Sequence, residues 1–166
     1  MPLWILIPAL LLVSIVQATL MPTMPWLGLR MDLPLVIVVV QGLVGPTRTA
    51  AQYGFILGIF LDLLSGMPFG VNMIALTVIG LVIDAGQMVF FRGNLLAPPI
   101  TVIVATLLDH VLILALLNTL GGRVPWSDYL LRVTLPTVAL NVVALPLVYF
   151  PLQRLQRFIY PQLDVR

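Results

Sequence analysis

No ionisable side chain occurs before Arg30, and beyond it charges stand singly or in close pairs between long apolar runs. A helix needs about 20 apolar residues to cross roughly 30 Å of hydrocarbon. Reading for such runs gives six candidates, at 3–20, 33–47, 49–66, 70–91, 95–118 and 130–150. Of the 166 residues 61% are hydrophobic and 8% charged, where a soluble domain carries about 25% charged residues. The chain cannot cover a water-facing surface. It is expected to be all-α, a polytopic helical membrane protein whose single integral membrane domain takes in 1–166. The first run has neither the basic leading segment nor the small-residue cleavage site of a signal peptide, so it is expected to be retained. Trp4, Trp26 and Trp126 fall at span ends, where indole rings favour the headgroup layer.

The second candidate is short. Between Asp32 and Arg48 lie 15 residues, about 22 Å of helix. It can cross by local thinning of the bilayer or be a re-entrant element packed against protein. With six crossings, one side carries Arg48, Arg92, Arg154, Arg157 and Arg166, and the other Arg30, Arg123 and Arg132. With five, Arg30 joins Arg48 and the C-terminal group. Either way the positive-inside rule puts Arg92 and the C-terminus in the cytoplasm, and the six-span arrangement puts the N-terminus there too. All the basic residues are arginine, and scattered along a lipid-soluble chain they make no basic patch for nucleic acid.

Prolines 8, 98, 99, 136 and 146 fall within these runs, as kinks that shape a bundle or as parts of a gated cavity. Asp62, Asp84, Asp109 and His110 do so too. A carboxylate at membrane depth is costly and is expected to face protein or water. Each Asp is read either as an interhelical hydrogen-bonding group or as a direct partner or ligand contact. Arg132, Arg92 and Arg48 are their candidate counter-charges. Asp109 and His110 are adjacent, and adjacent residues do not share a helix face.

The third run carries the most pointed pattern. Gly54, Gly58, Asp62 and Gly66 recur every four residues and form one narrow stripe. A Gly-xxx-Gly pair lets a second backbone come close, which is how small residues associate helices in lipid. Gly80 and Asp84 repeat the device more loosely in the fourth run. Ser65-Gly66-Met67-Pro68-Phe69-Gly70 reads as a helix stop and tight turn, with Ser65 expected to bond a carbonyl freed there.

Enzyme signatures are missing. There is no HExxH, no Gly-rich lysine loop, and one His with no Cys cannot supply the usual zinc ligands. No cofactor, metal or catalytic residue is expected. His110 is read as a buried hydrogen-bonding residue in place of a base.

The stretch Phe55-Ile56-Leu57-Gly58-Ile59-Phe60-Leu61-Asp62-Leu63-Leu64-Ser65-Gly66-Met67-Pro68-Phe69-Gly70 resembles the signature of the rod shape-determining protein MreD family. That family shows a Gly-rich helix ending in Asp-Leu-Leu-Ser-Gly, a short Pro-containing turn, and a Gly opening the next helix. The resemblance implies a fold similar to the six-helix substrate-binding subunits of energy-coupling-factor vitamin transporters. It also implies a non-enzymatic role in the bacterial inner membrane, in cell shape and lateral peptidoglycan synthesis. The implied partners are an MreC-like protein, a RodA-type glycosyltransferase, a penicillin-binding transpeptidase and, directly or indirectly, MreB filaments. Under this reading Gly54, Gly58, Asp62, Ser65, Gly66, Pro68 and Gly70 serve helix packing or partner binding, with Asp84, Asp109, His110 and Arg132 as intramembrane polar residues. From the residues alone, a substrate-binding subunit of a small-molecule transporter stands as the alternative.

Overall fold

A computed structural model describes residues 3–20, 31–46, 48–90 and 96–159. They form α1 (Leu3–Leu20), α2 (Leu33–Val44), α3 (Thr49–Leu64), α4 (Val71–Phe90) and α5 (Ala97–Thr119). A last rod joins α6 (Trp126–Tyr129), a π-turn (Leu130–Thr134) and α7 (Leu135–Ile159). Each expected span is helical, with shifted ends: the second stops at Val44, and the last runs well past both of its expected limits. Pro98 and Pro99 open α5, where the missing N–H has no partner to lose, so they are not kinks. Pro8, Pro146 and Pro151 do lie inside helices. The π-turn falls just before Pro136, which has no N–H to offer the carbonyl of Arg132.

The bundle is apolar outside as well as inside, with polar groups buried among its core side chains. Ile100, Val104, Leu131, Val143, Leu147 and Phe150 are exposed, while Gln41, Asp62, Thr106, Asp109, Thr134 and Asn141 are buried. Exposed apolar faces around an interior that holds polar groups suit a lipid surround, where side-chain hydrogen bonds join helices. Among the described residues two helical stretches, Ala97–Thr119 and Trp126–Gln156, are long and apolar enough to cross a membrane by length and composition.

The short second helix sits at the centre. Leu35, Val36, Val38, Val39 and Val40 have no exposed surface, and α2 touches α1, α3, α4, α5 and α7. Its 12 residues reach about 18 Å, less than a hydrocarbon core. A helix apolar on every side must be buried on every side, and here protein supplies the cover.

Polar groups fix the start of α2. Asp32 caps it, Oδ1 accepting from Leu35 N at 3.2 Å. Gln17 of α1 accepts from Leu33 N at 3.2 Å and donates to Met31 O at 2.9 Å. Asn141 of α7 accepts from Asp32 N at 2.8 Å and donates to Thr106 Oγ1 at 3.1 Å. Thr106 stands about 14 Å along α5 from its first residue, so α2 begins near the mid-level of its long neighbours. At its other end Gln156 of α7 donates to Gln41 Oε1, and Gln41 to Thr49 Oγ1, both at 2.9 Å. The first set satisfies N–H groups at the start of α2, and the second ties the side chains of α2, α3 and α7 together.

Asn141→Leu should therefore strand the Asp32 N–H and take one donor from Thr106 Oγ1, which keeps its own bond to Val102 O. We expect a loss of about 1–3 kcal/mol in apparent stability, measured by thermal unfolding in detergent. Gln52→Leu, on an exposed position of α3, should change little.

Candidate functional site

The stripe on α3 lies directly on α4. A methyl on Gly54 would collide with the backbone of Leu76, and one on Gly58 with the backbone of Met73. Two helices this close leave no room for side chains between them, which is why glycine is required at both positions. The contact also runs the other way: a Cβ on Gly80 of α4 would lie 2.6 Å from Ala50 O and from the backbone of Ala51. Each helix thus brings a glycine face to the other's backbone.

Each also brings a carboxylate to the other's N-terminus. Asp62 Oδ2 accepts from Gly70 N at 2.8 Å and Met73 N at 3.1 Å. Its Oδ1 accepts from Asn72 N and Asn72 Nδ2, both at 2.9 Å. Asp84 accepts from Ala50 N at 3.3 Å on one oxygen and Ala51 N at 3.0 Å on the other. The first N–H groups of a helix lack intrahelical partners and carry the positive end of its dipole, so an anion there is favoured twice. The Arg48 that starts α3 has φ 67° and no side-chain cap; the neighbouring helix supplies the cap instead. Because α3 and α4 are antiparallel, a Gly-xxx-Asp stripe on each places both carboxylates correctly.

The turn between them follows from the same demand. Gly66 (φ 66°) and Gly70 (φ 102°) hold left-handed backbone conformations that favour glycine, and Gly70 turns its N–H onto Asp62. Pro68 accepts from Val71 N at 3.3 Å. Ser65 departs from expectation: its Oγ accepts weakly from Met67 N at 3.5 Å instead of donating to a carbonyl. The expected arginine counter-charges are not needed by Asp62 or Asp84. Arg48 and Arg132 are exposed, and backbone donors take their place. Arg92, Arg30 and the side chains of Trp4, Trp26, Arg157 and Arg166 lie outside the described residues.

Asp109 and His110 diverge, as adjacent helical residues must. His110 Nδ1 lies 2.8 Å from Thr134 Oγ1 in the π-turn, and its ring meets Tyr129 edge-on with centroids 5.6 Å apart. Asp109 is 1% exposed, and its Oδ1 has no hydrogen-bond partner among the described residues. His110 also lines a cavity of about 380 Å³ at the end of the bundle where α1 and α3 finish and α2 and α4 begin. Gln17, Asp32, Ser65, Asn72, Tyr129 and Thr137 supply its other polar walls.

Sequence reasoning missed Asp32, Gln17 and Asn141. Asp32 enters the sequence reading only as the boundary of the second run, and it is the cap of a buried helix. Gln17 and Asn141 were visible as lone amides in apolar runs, a signal of the same kind as the aspartates.

The chain matches the family model described as rod shape-determining protein MreD over residues 2–159. Comparison with the curated proteins and with the solved structures finds no match.

Because both Asp62 oxygens accept two bonds, an amide cannot stand in for the carboxylate: its NH₂ would face donors. Asp62→Asn should lose nearly as much as Asp62→Ala, about 2–4 kcal/mol of apparent stability, and Asp84→Asn less. Gly58→Leu should keep α3 and α4 from closing. Thermal unfolding in detergent checks all of these, with Phe55→Leu on the exposed face of α3 as a near-neutral control.

Proposed function

Since the chain belongs to the rod shape-determining protein MreD family, we propose that it is a non-enzymatic inner-membrane scaffold of the cell-elongation complex. The observation that carries this reading is the family match, which takes in every helix described above. In this role the protein binds an MreC-like partner. It helps bring a RodA-type glycosyltransferase and a penicillin-binding transpeptidase into register with MreB filaments, and so supports lateral cell-wall synthesis. Several features support a scaffold. Asp62 of the sequence signature and Asp84 of α4 are spent on backbone donors. What the signature makes is a rigid helical hairpin with apolar outer surfaces, and rigid presentation of a surface is what an assembly component requires. The residues Gly54, Gly58, Asp62, Ser65, Gly66, Pro68 and Gly70 act here by fixing that hairpin.

The topology that goes with this function has both termini in the cytoplasm, from the arginine distribution. A second reading, a substrate-binding transporter subunit, is favoured by the cavity alone.

Three measurements check these statements. A reporter fused after Arg166 that is active only in the periplasm should stay silent, and strong activity would overturn the orientation. Pull-down from native membranes should recover an MreC-like protein and cell-wall synthases. In a strain depleted of the protein, Gly58→Leu should fail to restore rod shape even where membrane abundance is normal. Recovery of a transport ATPase without cell-wall proteins would favour the second reading.

A further inference from the structure

Thr134 departs from the pattern of the other helical threonines. Thr77, Thr101, Thr106 and Thr137 each donate their hydroxyl to the carbonyl four residues back. In the π-turn the corresponding carbonyl, that of Leu130, is taken by the N–H of Leu135. The Thr134 hydroxyl turns instead to His110 Nδ1, at 2.8 Å. Thr134 is 1% exposed, and Nδ1 is the partner of its hydroxyl among the described residues. Either group could supply the proton, but only one choice leaves the buried O–H with an acceptor. Thr134 therefore donates, Nδ1 accepts, and the ring carries its own proton on Nε2.

That second nitrogen opens onto the cavity. His110 is 6% exposed and lines it. Among the described residues Nε2 has no hydrogen-bond partner, and the side-chain polar atoms sealed from solvent without one are Asp109 Oδ1 and Gln156 Oε1. Nε2 thus meets open space, and for a ring so buried that space is the cavity. Acceptors stand on the same walls. Asn72 gives its NH₂ to Asp62 Oδ1, which leaves its amide oxygen, and the half-buried Asp32 lines the cavity beside it.

We propose that this cavity binds a small uncharged molecule carrying a hydroxyl or primary amide on an apolar body, its oxygen accepting from His110 Nε2–H. The O–H or N–H of the ligand reaches Asn72 or Asp32, and its body lies against Leu61, Ile113 and Val133. The volume of about 380 Å³ lies within the range of small-molecule sites. A buried donor is costly to leave unmet, and π-turns inside helices recur at functional sites. This one denies Thr134 its own helix and so sets the proton of His110. The proposal does not rest on the scaffold reading, because it concerns binding to the purified chain.

The chain has one histidine, so the full chain made with isotopically labelled histidine, and freed of any affinity tag, gives a single imidazole to observe by NMR in detergent. The ring should carry its proton on Nε2. Benzyl alcohol, benzamide or both should move the Nε2 signal saturably and more than the Nδ1 signal. Toluene, the same body without a polar group, should not. Thr134→Val keeps the shape and removes the hydroxyl, so it should spread the proton over both nitrogens. His110→Phe should weaken binding by about tenfold, read from the ligand's own resonances, with Phe55→Leu unchanged. Four results would overturn the proposal: a proton on Nδ1, no saturable shift of Nε2 with either probe, an equal response to toluene, or a folded His110→Phe protein that binds as before.

Discussion

A helix that begins inside an apolar medium has N–H groups with nowhere to go, and two helices packed backbone to backbone have no side chains between them to help. The α3–α4 pair meets both constraints with one device. Glycine at 54, 58 and 80 permits the approach, and a carboxylate one turn beyond Gly58 and Gly80 reaches the start of the opposite helix. The arrangement requires antiparallel helices joined by a tight turn, and the left-handed glycines at 66 and 70 allow that turn. The parts are therefore mutually dependent. The carboxylates reach their donors only because the glycines let the backbones meet, and the separation cannot grow without stranding both helix starts.

The rest of the bundle is built on the same logic at lower density. The pair α3–α4 forms part of the wall around α2, with α1, α5 and α7 completing it. Since α2 offers valines on all sides, packing alone would let it rotate or slide, and its polar ends fix the register. Asp32, Gln17 and Asn141 hold the start, and Gln41, Gln156 and Thr49 hold the finish. The amides and hydroxyls that a soluble protein would turn outward are turned inward, because lipid gives them no alternative partner.

The helical character and the general run of the spans were legible in the sequence, because long apolar runs admit few alternatives. The stripe was legible too, since a period of four on a helix needs no knowledge of the neighbour. Its partner was not. Nothing in Gly54-xxx-Gly58 says which backbone it meets, and charge reasoning pointed Asp62 towards arginine when backbone N–H groups were closer. A side-chain cation has to travel, whereas the start of the next helix is delivered by the turn. The role of Asp32 was hidden for a related reason. A charge two residues from Arg30 looks like surface, and only its bond to Leu35 N marks it as the cap of α2. The helix ends also moved, because capping and the π-turn, absent from any hydropathy pattern, decide where helices start.

The half-length of α2 has a consequence for the whole interior. A helix that starts near the mid-level of α5 leaves the space above its N-terminus to be filled by something other than itself. Part of that space is closed by Gln17 and Met31, and part is bounded by His110, Tyr129 and the π-turn; what is left is the cavity. Its floor is therefore made of the polar groups needed to terminate α2, above all Asp32. A bundle with a full-length second helix would need no such floor and would have no cavity. The shortness of α2 and the charged interior beside it are one feature, since ending a helix within the bundle requires an acceptor there. Asp109 goes beyond that requirement. Among the described residues its Oδ1 has no hydrogen-bond partner, so the need to stop a helix does not explain that oxygen. A hydrophobic residue at that position would pack against the same neighbours at lower cost.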